Sequence, residues 1–255
     1  MNLSVSVPTR KRWGLSASTL KIIACIVMVI DHVGVFLFPD VEVLRYIGRI
    51  AFPIFAYFIA EGCRYTRNKL KRLLLVVGLA ILCESVYLIY DGKPDGGILM
   101  TFTFSILLIY QVQAIKKSLA QKKWWMTALW SLTLEASLVL VYGFVEHVLY
   151  VDYGFWGILI PVFTVLPDYK EGEAPTCFRY ISHLPVKLVF WILGMLLLCI
   201  SRGLFTNLQS FCLLSIPLML LYNGTPGRKG LKYGFYIFYP AHLVILWLIA
   251  ALMQR

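Results

Sequence analysis

The sequence predicts an all-α fold, a polytopic integral membrane helix bundle of about nine transmembrane helices, and three observations predict it. First, 60% of the 255 residues are hydrophobic and only 15% are charged, where soluble domains average about 45–50% and roughly 25%. Mean hydropathy is +0.77. Second, the apolar residues gather in blocks close to the ~20 needed to cross a ~30 Å hydrocarbon core. No water is available there, so each block must be helical to satisfy its own backbone groups. Third, basic residues alternate in density from one interblock loop to the next.

In order, the expected spans are Leu20–Phe38, Ile47–Cys63, Leu70–Tyr90, Ile98–Ile115, Trp124–Phe144, Tyr153–Leu166, Leu184–Ser201, Leu204–Tyr222 and Tyr233–Met253. The sixth is short and carries Pro161, so a tilted, re-entrant or protein-buried segment is the alternative to a full crossing. Residues 1–19 form a short basic cytoplasmic segment, and residues 20–255 form a single transmembrane domain. With a cytoplasmic N-terminus, the inside set is Arg10, Lys11, Arg12, Lys21; Arg64, Arg67, Lys69, Lys71, Arg72; Lys116, Lys117, Lys122, Lys123; Lys170, Arg179, Lys187; and Arg228, Lys229, Lys232. Arg45, Arg49, Lys93, Arg202 and Arg255 fall outside. Nineteen of 24 basic residues inside is the bias that the positive-inside rule expects, and it sets the topology as N-in, C-out.

The +11 net charge therefore belongs to short loops beside apolar helices, where it meets anionic lipid head groups. It does not point to nucleic acid. The first apolar block is too long for a signal-peptide core, and Phe38-Pro39 offers no small-residue cleavage site. Cys25, Cys63, Cys83, Cys177, Cys199 and Cys212 show no CxxC spacing and read as small hydrophobes, with no metal site implied. No phosphate-binding glycine loop, dinucleotide fingerprint, HExxH or G-x-S-x-G occurs, and no internal repeat is visible.

Ionisable residues inside the spans are costly, which makes them functional candidates. Lys21 and His32 are eleven residues apart, three turns plus about 20°, so they share one face of the first helix, roughly 16 Å apart along its axis. Cys25 and Met28 complete that stripe. Histidine ionises near neutrality, and its neutral imidazole can take a proton. Asp31 is turned about 100° from His32, free to orient a neighbouring group or to pair with a cation on another helix, with Arg49 as a candidate. The bland alternative is a hydrated outer rim that merely ends the apolar run. In the second span Arg49 lies near the outer end, while Tyr57 and Glu61 share a face near the cytoplasmic end beside Arg64 and Arg67. Glu61 reads equally as an interfacial residue balanced by those arginines. In the last span Tyr236, Tyr239 and His242 recur every three residues and point into the bundle.

Several short motifs occur in one order along nearly the whole chain: Leu20-Lys21-x-x-Ala24 with Met28-x-x-Asp31-His32; Gly48-Arg49-x-x-Phe52-Pro53 with Ala60-Glu61-Gly62; Asp152-Tyr153-Gly154; Tyr222-Asn223-Gly224; and Phe235-Tyr236-x-Phe238-Tyr239-Pro240-x-His242. In these the chain resembles the TraX family, whose members look like membrane acyltransferases related to the acyltransferase-3 type. The resemblance implies acetyl transfer from cytoplasmic acetyl-CoA to an amine or hydroxyl, such as a pilin-like or secreted peptide N-terminus or a sugar, in a bacterial inner membrane. Those relatives carry an arginine, ten residues and then the essential histidine. Lys21 stands in the arginine's place here, keeping the charge without the planar fork. The implied roles are His32 and Asp31 as catalytic residues; Arg49, Tyr57, Glu61, Tyr239 and His242 around the acceptor; and Lys21, Arg64, Arg67 and Lys69 near the CoA phosphates. No metal is implied. Read from the residues alone, the same buried Asp, His, Glu and Arg suit a proton-coupled transporter or channel equally well. A scaffold subunit of a secretion machine is a third reading.

Overall fold

The computed structural model describes residues 13–92, 96–169, 184–204, 207–228 and 230–253. Arg10, Lys11, Arg12, Lys93, Lys170, Arg179, Lys229, Arg255 and Cys177 lie outside the described residues, as does most of the expected basic segment 1–19. The α-helices among the described residues are, in chain order, α1 (Ala17–Phe36), α2 (Glu42–Gly48), α3 (Ala51–Tyr65), α4 (Lys69–Asp91), α5 (Ile98–Ala120), α6 (Trp124–His147), α7 (Gly154–Val165), α8 (Leu184–Ser201), α9 (Ser215–Leu220) and α10 (Leu231–Met253). A 3₁₀ segment, Leu208–Leu214, runs directly into α9.

Local chemistry sets the boundaries. Ser16 caps α1 by accepting from the Thr19 N–H at 3.3 Å, and Asn68 does the same for α4 through Lys71 at 2.9 Å. Gly92, at φ 68°, closes α4 in the left-handed conformation. The expected second span is two helices, α2 and α3, broken at Arg49-Ile50. Pro53 supplies the cause: it lacks an N–H, and its ring crowds the carbonyl four residues back, on Arg49.

Among the described residues, seven helical stretches are long and apolar enough to cross a membrane by length and composition, with Glu42–Tyr65 counted as one. The other two expected spans are shorter, Gly154–Val165 and Leu208–Leu220. At 1.5 Å per residue α7 is only about 18 Å long. It lies inside the bundle, packed on α3, α5 and α8, with most of its residues buried. A short helix is tolerated at membrane depth where protein surrounds it. In contrast α6 is peripheral and exposes Leu129, Leu132, Val139 and Leu140, the outward apolar face expected of a helix that meets lipid. The core between them centres on Phe52, Tyr57, Ile106, Ile158, Trp191 and Met195. The buried Trp191 indole N–H donates to the Pro53 carbonyl at 2.9 Å.

Contacts between helix termini define two ends. At the basic end lie Lys21, Arg64, Arg67, Lys69, Lys71, Arg72, Lys116, Lys117, Lys122, Lys123 and Lys187. Arg45, Arg49 and Arg202 lie toward the other. Several of these cations do not face head groups. The Lys116 ammonium is buried and donates to the carbonyls of Val165, Leu166 and Asp168 at 2.6, 2.8 and 2.8 Å, satisfying orphan acceptors at the C-terminal end of α7. At the end of α3, Thr66 Oγ1 and Gln113 Nε2 donate to the Gly62 and Cys63 carbonyls at 2.8 and 3.3 Å, and Arg72 braces that turn by donating to Thr66 Oγ1 and the Ile59 carbonyl, both at 3.2 Å. Lys116→Ala is expected to cost about 3 kcal/mol, since charged hydrogen bonds are lost and buried acceptors are stranded. Thermal unfolding in detergent measures it, and a midpoint unchanged from wild type would contradict the capping role.

Candidate functional site

The first and last helices meet through two imidazoles. His32 on α1 and His242 on α10 approach at 2.8 Å between Nδ1 and Nε2. The other ring nitrogen of His242, Nδ1, lies 2.9 Å from the Phe238 carbonyl one turn back. That carbonyl can only accept, so His242 Nδ1 carries the hydrogen. In the neutral ring Nε2 is then an acceptor, which requires His32 Nδ1 to donate to it. The chain of bonds leaves His32 Nε2 with a free lone pair. Phe238 stacks on His242 at 5.2 Å and 11°, while Tyr239 meets it edge-on at 5.5 Å, so the second imidazole is fixed in orientation.

Asp31, the residue before His32, turns to the α2–α3 junction. Arg45 Nε lies 3.3 Å from Asp31 Oδ1, and Arg49 Nη2 lies 3.9 Å from the same oxygen. Arg45 and Arg49 are four residues apart, one helical turn, so both reach the carboxylate. The approach depends on Gly48: a Cβ there would overlap Asp31 Oδ1, Cγ and Cβ.

His32, Asp31, Arg45 and Arg49 line one cavity of about 420 Å³. Met28, Asp31 and His32 form the α1 side, and Arg45, Gly48, Arg49, Ala51 and Phe52 form the α2–α3 side. Tyr87, Tyr150, Asp152, Tyr153 and Tyr239 complete the wall. The loop bearing Asp152 and Tyr153 is pinned by the Asp152 N–H on the Gly96 carbonyl at 2.8 Å and by Thr101 Oγ1 on the Asp152 carbonyl at 2.6 Å. Glu84 accepts the Gly96 and Gly97 N–H groups at 3.0 and 2.6 Å. Tyr153 holds φ at 66°, uncommon for a residue with a side chain. Its ring lies flat on Phe52, 3.7 Å between centroids and 6° between planes.

Of the residues singled out from sequence, the structure gathers His32, Asp31, Arg49 and Tyr239 at this cavity, with His242 behind His32. Tyr57 and Glu61 stand elsewhere, toward the basic end. There Tyr222 donates to Glu61 Oε2 at 2.9 Å. Tyr57 is fully buried, edge-on to Tyr222 at 5.8 Å, with its hydroxyl unmatched by a hydrogen bond among the described residues. Lys21 lies over the Phe58 ring at 4.9 Å and the Phe235 ring at 5.9 Å. Asp168 pairs with Arg64 and, at 2.9 Å, with Lys187. Arg67 and Lys69 are exposed, and Lys69 reaches over Tyr110 at 4.9 Å. The stripe from Lys21 to His32 thus joins two polar centres at opposite ends of the bundle, with Cys25 and Met28 buried between them. No group of three or more His, Cys, Asp or Glu able to hold a metal occurs among the described residues.

Sequence reasoning missed Arg45, which it counted as an outer-loop charge. Its spacing from Arg49 was the available signal. Asp152 and Tyr153 stood out as a motif without a role, and Tyr87 and Tyr150 carry no sequence signal, since only tertiary packing brings them to the cavity.

The sequence profile described as "TraX protein" matches residues 16–250. A protein named "Probable fimbrial assembly protein FimC, serogroup H1", from Dichelobacter nodosus, is 27% identical over 250 residues, covering 91% of this chain and 94% of that protein. "Uncharacterized protein RP591" from Rickettsia prowazekii (strain Madrid E) is 51% identical over 39 residues, 15% of this chain and 16% of its own length. No solved structure matches.

Gly48→Ala is expected to lower stability by about 1–3 kcal/mol, because Asp31 must move to admit the methyl. Gly78→Ala meets nothing within 4 Å and should be neutral or stabilising by up to about 1 kcal/mol in its helix. Equal melting shifts for the two variants would show that the Gly48–Asp31 contact is not tight.

Proposed function

We propose, for a chain that belongs to the TraX family, that it is an integral membrane acetyltransferase moving an acetyl group from acetyl-CoA to an amine or hydroxyl of an acceptor. The observation that carries this reading is the hydrogen-bond chain from the Phe238 carbonyl through His242 to His32. It presents His32 Nε2 as a fixed proton acceptor at the wall of a cavity large enough for a small reacting group.

The chemistry follows from that lone pair. His32 Nε2 takes the proton as the acceptor nitrogen or oxygen attacks the thioester carbonyl. His242 and the Phe238 carbonyl stabilise the imidazolium through the bonds that already set its orientation. Asp31 acts at one remove, holding Arg45 and Arg49 in the opposite wall, and Tyr239 packs the second imidazole. When the tetrahedral intermediate collapses, the carbon–sulfur bond breaks and His32 returns its proton to the departing thiolate. The products are the acetylated acceptor and CoA thiol.

The basic end is the side from which the donor arrives, with Lys21, Arg64, Arg67 and Lys69 near the CoA phosphates. Its excess of basic residues makes it the cytoplasmic face under the positive-inside rule, and the membrane is then the bacterial inner membrane. The cavity lies in the opposite half, so an acceptor entering from outside would meet the acetyl group without CoA crossing. The Dichelobacter relative is named for fimbrial assembly, which favours a pilin-like or secreted peptide N-terminus as acceptor. Tyr57 and Glu61 stand toward the basic end, beside Tyr222, where on this reading they bear on the donor side more than on the acceptor.

The test is transfer of radiolabelled acetyl from acetyl-CoA by purified protein into a membrane and periplasmic extract. Wild type should label a product, and His32→Ala should lower the rate by about 10²–10⁴, the usual contribution of a general base. His242→Ala should fall between the two, since His32 keeps its base but loses its fixed orientation. A wild-type protein that neither transfers label nor binds acetyl-CoA would return the chain to the transporter reading.

A further inference from the structure

We infer that Arg49 is the oxyanion-stabilising residue of this reaction; the inference rests on the acetyltransferase reading above. A thioester carbonyl under attack places a full negative charge on its oxygen, and catalysis is greatest where a fixed positive group already waits for that charge. Sequence alone offers no such donor. The cavity contains two guanidinium groups, and their surroundings separate their duties.

Arg45 is the closer partner of Asp31, at 3.3 Å through Nε, and its side chain is 31% exposed. It balances the carboxylate. Arg49 is only 13% exposed and touches the same oxygen at 3.9 Å, a loose contact, and its guanidinium also hydrogen-bonds the Tyr153 side chain, so the group left for a substrate is Nε. Its Nε is buried and has no hydrogen-bond partner among the described residues. A buried N–H without an acceptor is costly and is explained when an acceptor arrives with the substrate. The guanidinium lies 5.8 Å from the Tyr153 ring centroid, so an aromatic face borders it. Tyr153 is itself fixed by its flat stack on Phe52 and by a left-handed backbone, a conformation retained where surrounding structure enforces it.

Arg49 stands at the break before α3, and the first residues of that helix, Ala51 and Phe52, line the cavity. His32 occupies the α1 side and Arg49 the α2–α3 side, so base and oxyanion partner face one reaction volume from different elements. In the step, the acceptor N–C or O–C bond forms, the carbonyl π pair moves to oxygen and Arg49 receives that charge. Reforming the carbonyl then expels the thiolate.

Arg49→Gln, Arg49→Lys, Arg45→Gln and His32→Ala in the full-length protein, assayed for acetyl transfer with acetyl-CoA, test this. Arg49→Gln should lose about 10²–10³ in kcat, the range for one oxyanion donor, with the acetyl-CoA KM within about threefold of wild type. Arg49→Lys should recover part of the loss, and added guanidinium should rescue Arg49→Gln but not His32→Ala. Arg45→Gln should lose far less. If Arg49→Gln fails to fold, Arg49→Lys carries the comparison, and a kcat within threefold of wild type overturns the assignment. A loss confined to KM, or no guanidinium rescue, also overturns it while His32→Ala stays inactive and the base survives. A wild-type protein inert toward acetyl-CoA removes the acetyltransferase reading itself, and this inference with it.

Discussion

Within the hydrocarbon layer a polar atom has only the protein to bond to, and that constraint organises both ends of this molecule. At the basic end it appears as cations turned inward. Lys116 closes the carbonyl end of α7, Arg72 braces the last turns of α3, and Asp168 gathers Arg64 and Lys187. A helix as short as α7 is possible because its last carbonyls meet an ammonium from a neighbouring helix. The charges that give the chain its loop asymmetry are in part the groups that make its irregular backbone affordable.

At the other end the same constraint couples the catalytic candidates to the architecture. The bond between His32 and His242 joins residues 210 positions apart and fixes α10 against α1. The Asp31 contact with Arg45 and Arg49 fixes the α2–α3 junction against α1. One helix therefore places its two consecutive polar residues against two different partners, because successive residues on a helix diverge by about 100°. The cavity is the space left between those partners, walled by loops that Glu84 and Thr101 tie down. Few of its groups are free to move, which suits a site built on electrostatic preorganisation.

Each polar feature also explains a nearby apolar or small residue. Gly48 is small because Asp31 rests on it, and Gly62 because the Arg72 guanidinium does. Pro53 ends one helix and starts another at the point where Arg49 must leave the regular ladder. The carbonyl of Pro53 then accepts the Trp191 indole, so the break in the helix and the packing of the core share a residue.

Composition and block length determined that the chain is a helical membrane bundle, because burial in lipid is a demand on every residue of a span and so leaves its mark along the whole sequence. Helical periodicity determined that Lys21 and His32 share a face and that Asp31 must look elsewhere, since those relations lie within one helix. The Asp31–Arg49 contact was legible too, as a buried acid and a cation near the outer end of the next span. Tertiary structure alone decided the rest. The shortness of α7 and of the Leu208–Leu220 segment depends on neighbours that bury them. The partner of His32, the primary contact of Arg45 with Asp31, the separation of Tyr57 and Glu61 from the cavity, and the tyrosines in its wall are all set between helices. Contacts of that kind follow from rotation and depth of packed cylinders, which a local pattern of residues does not encode.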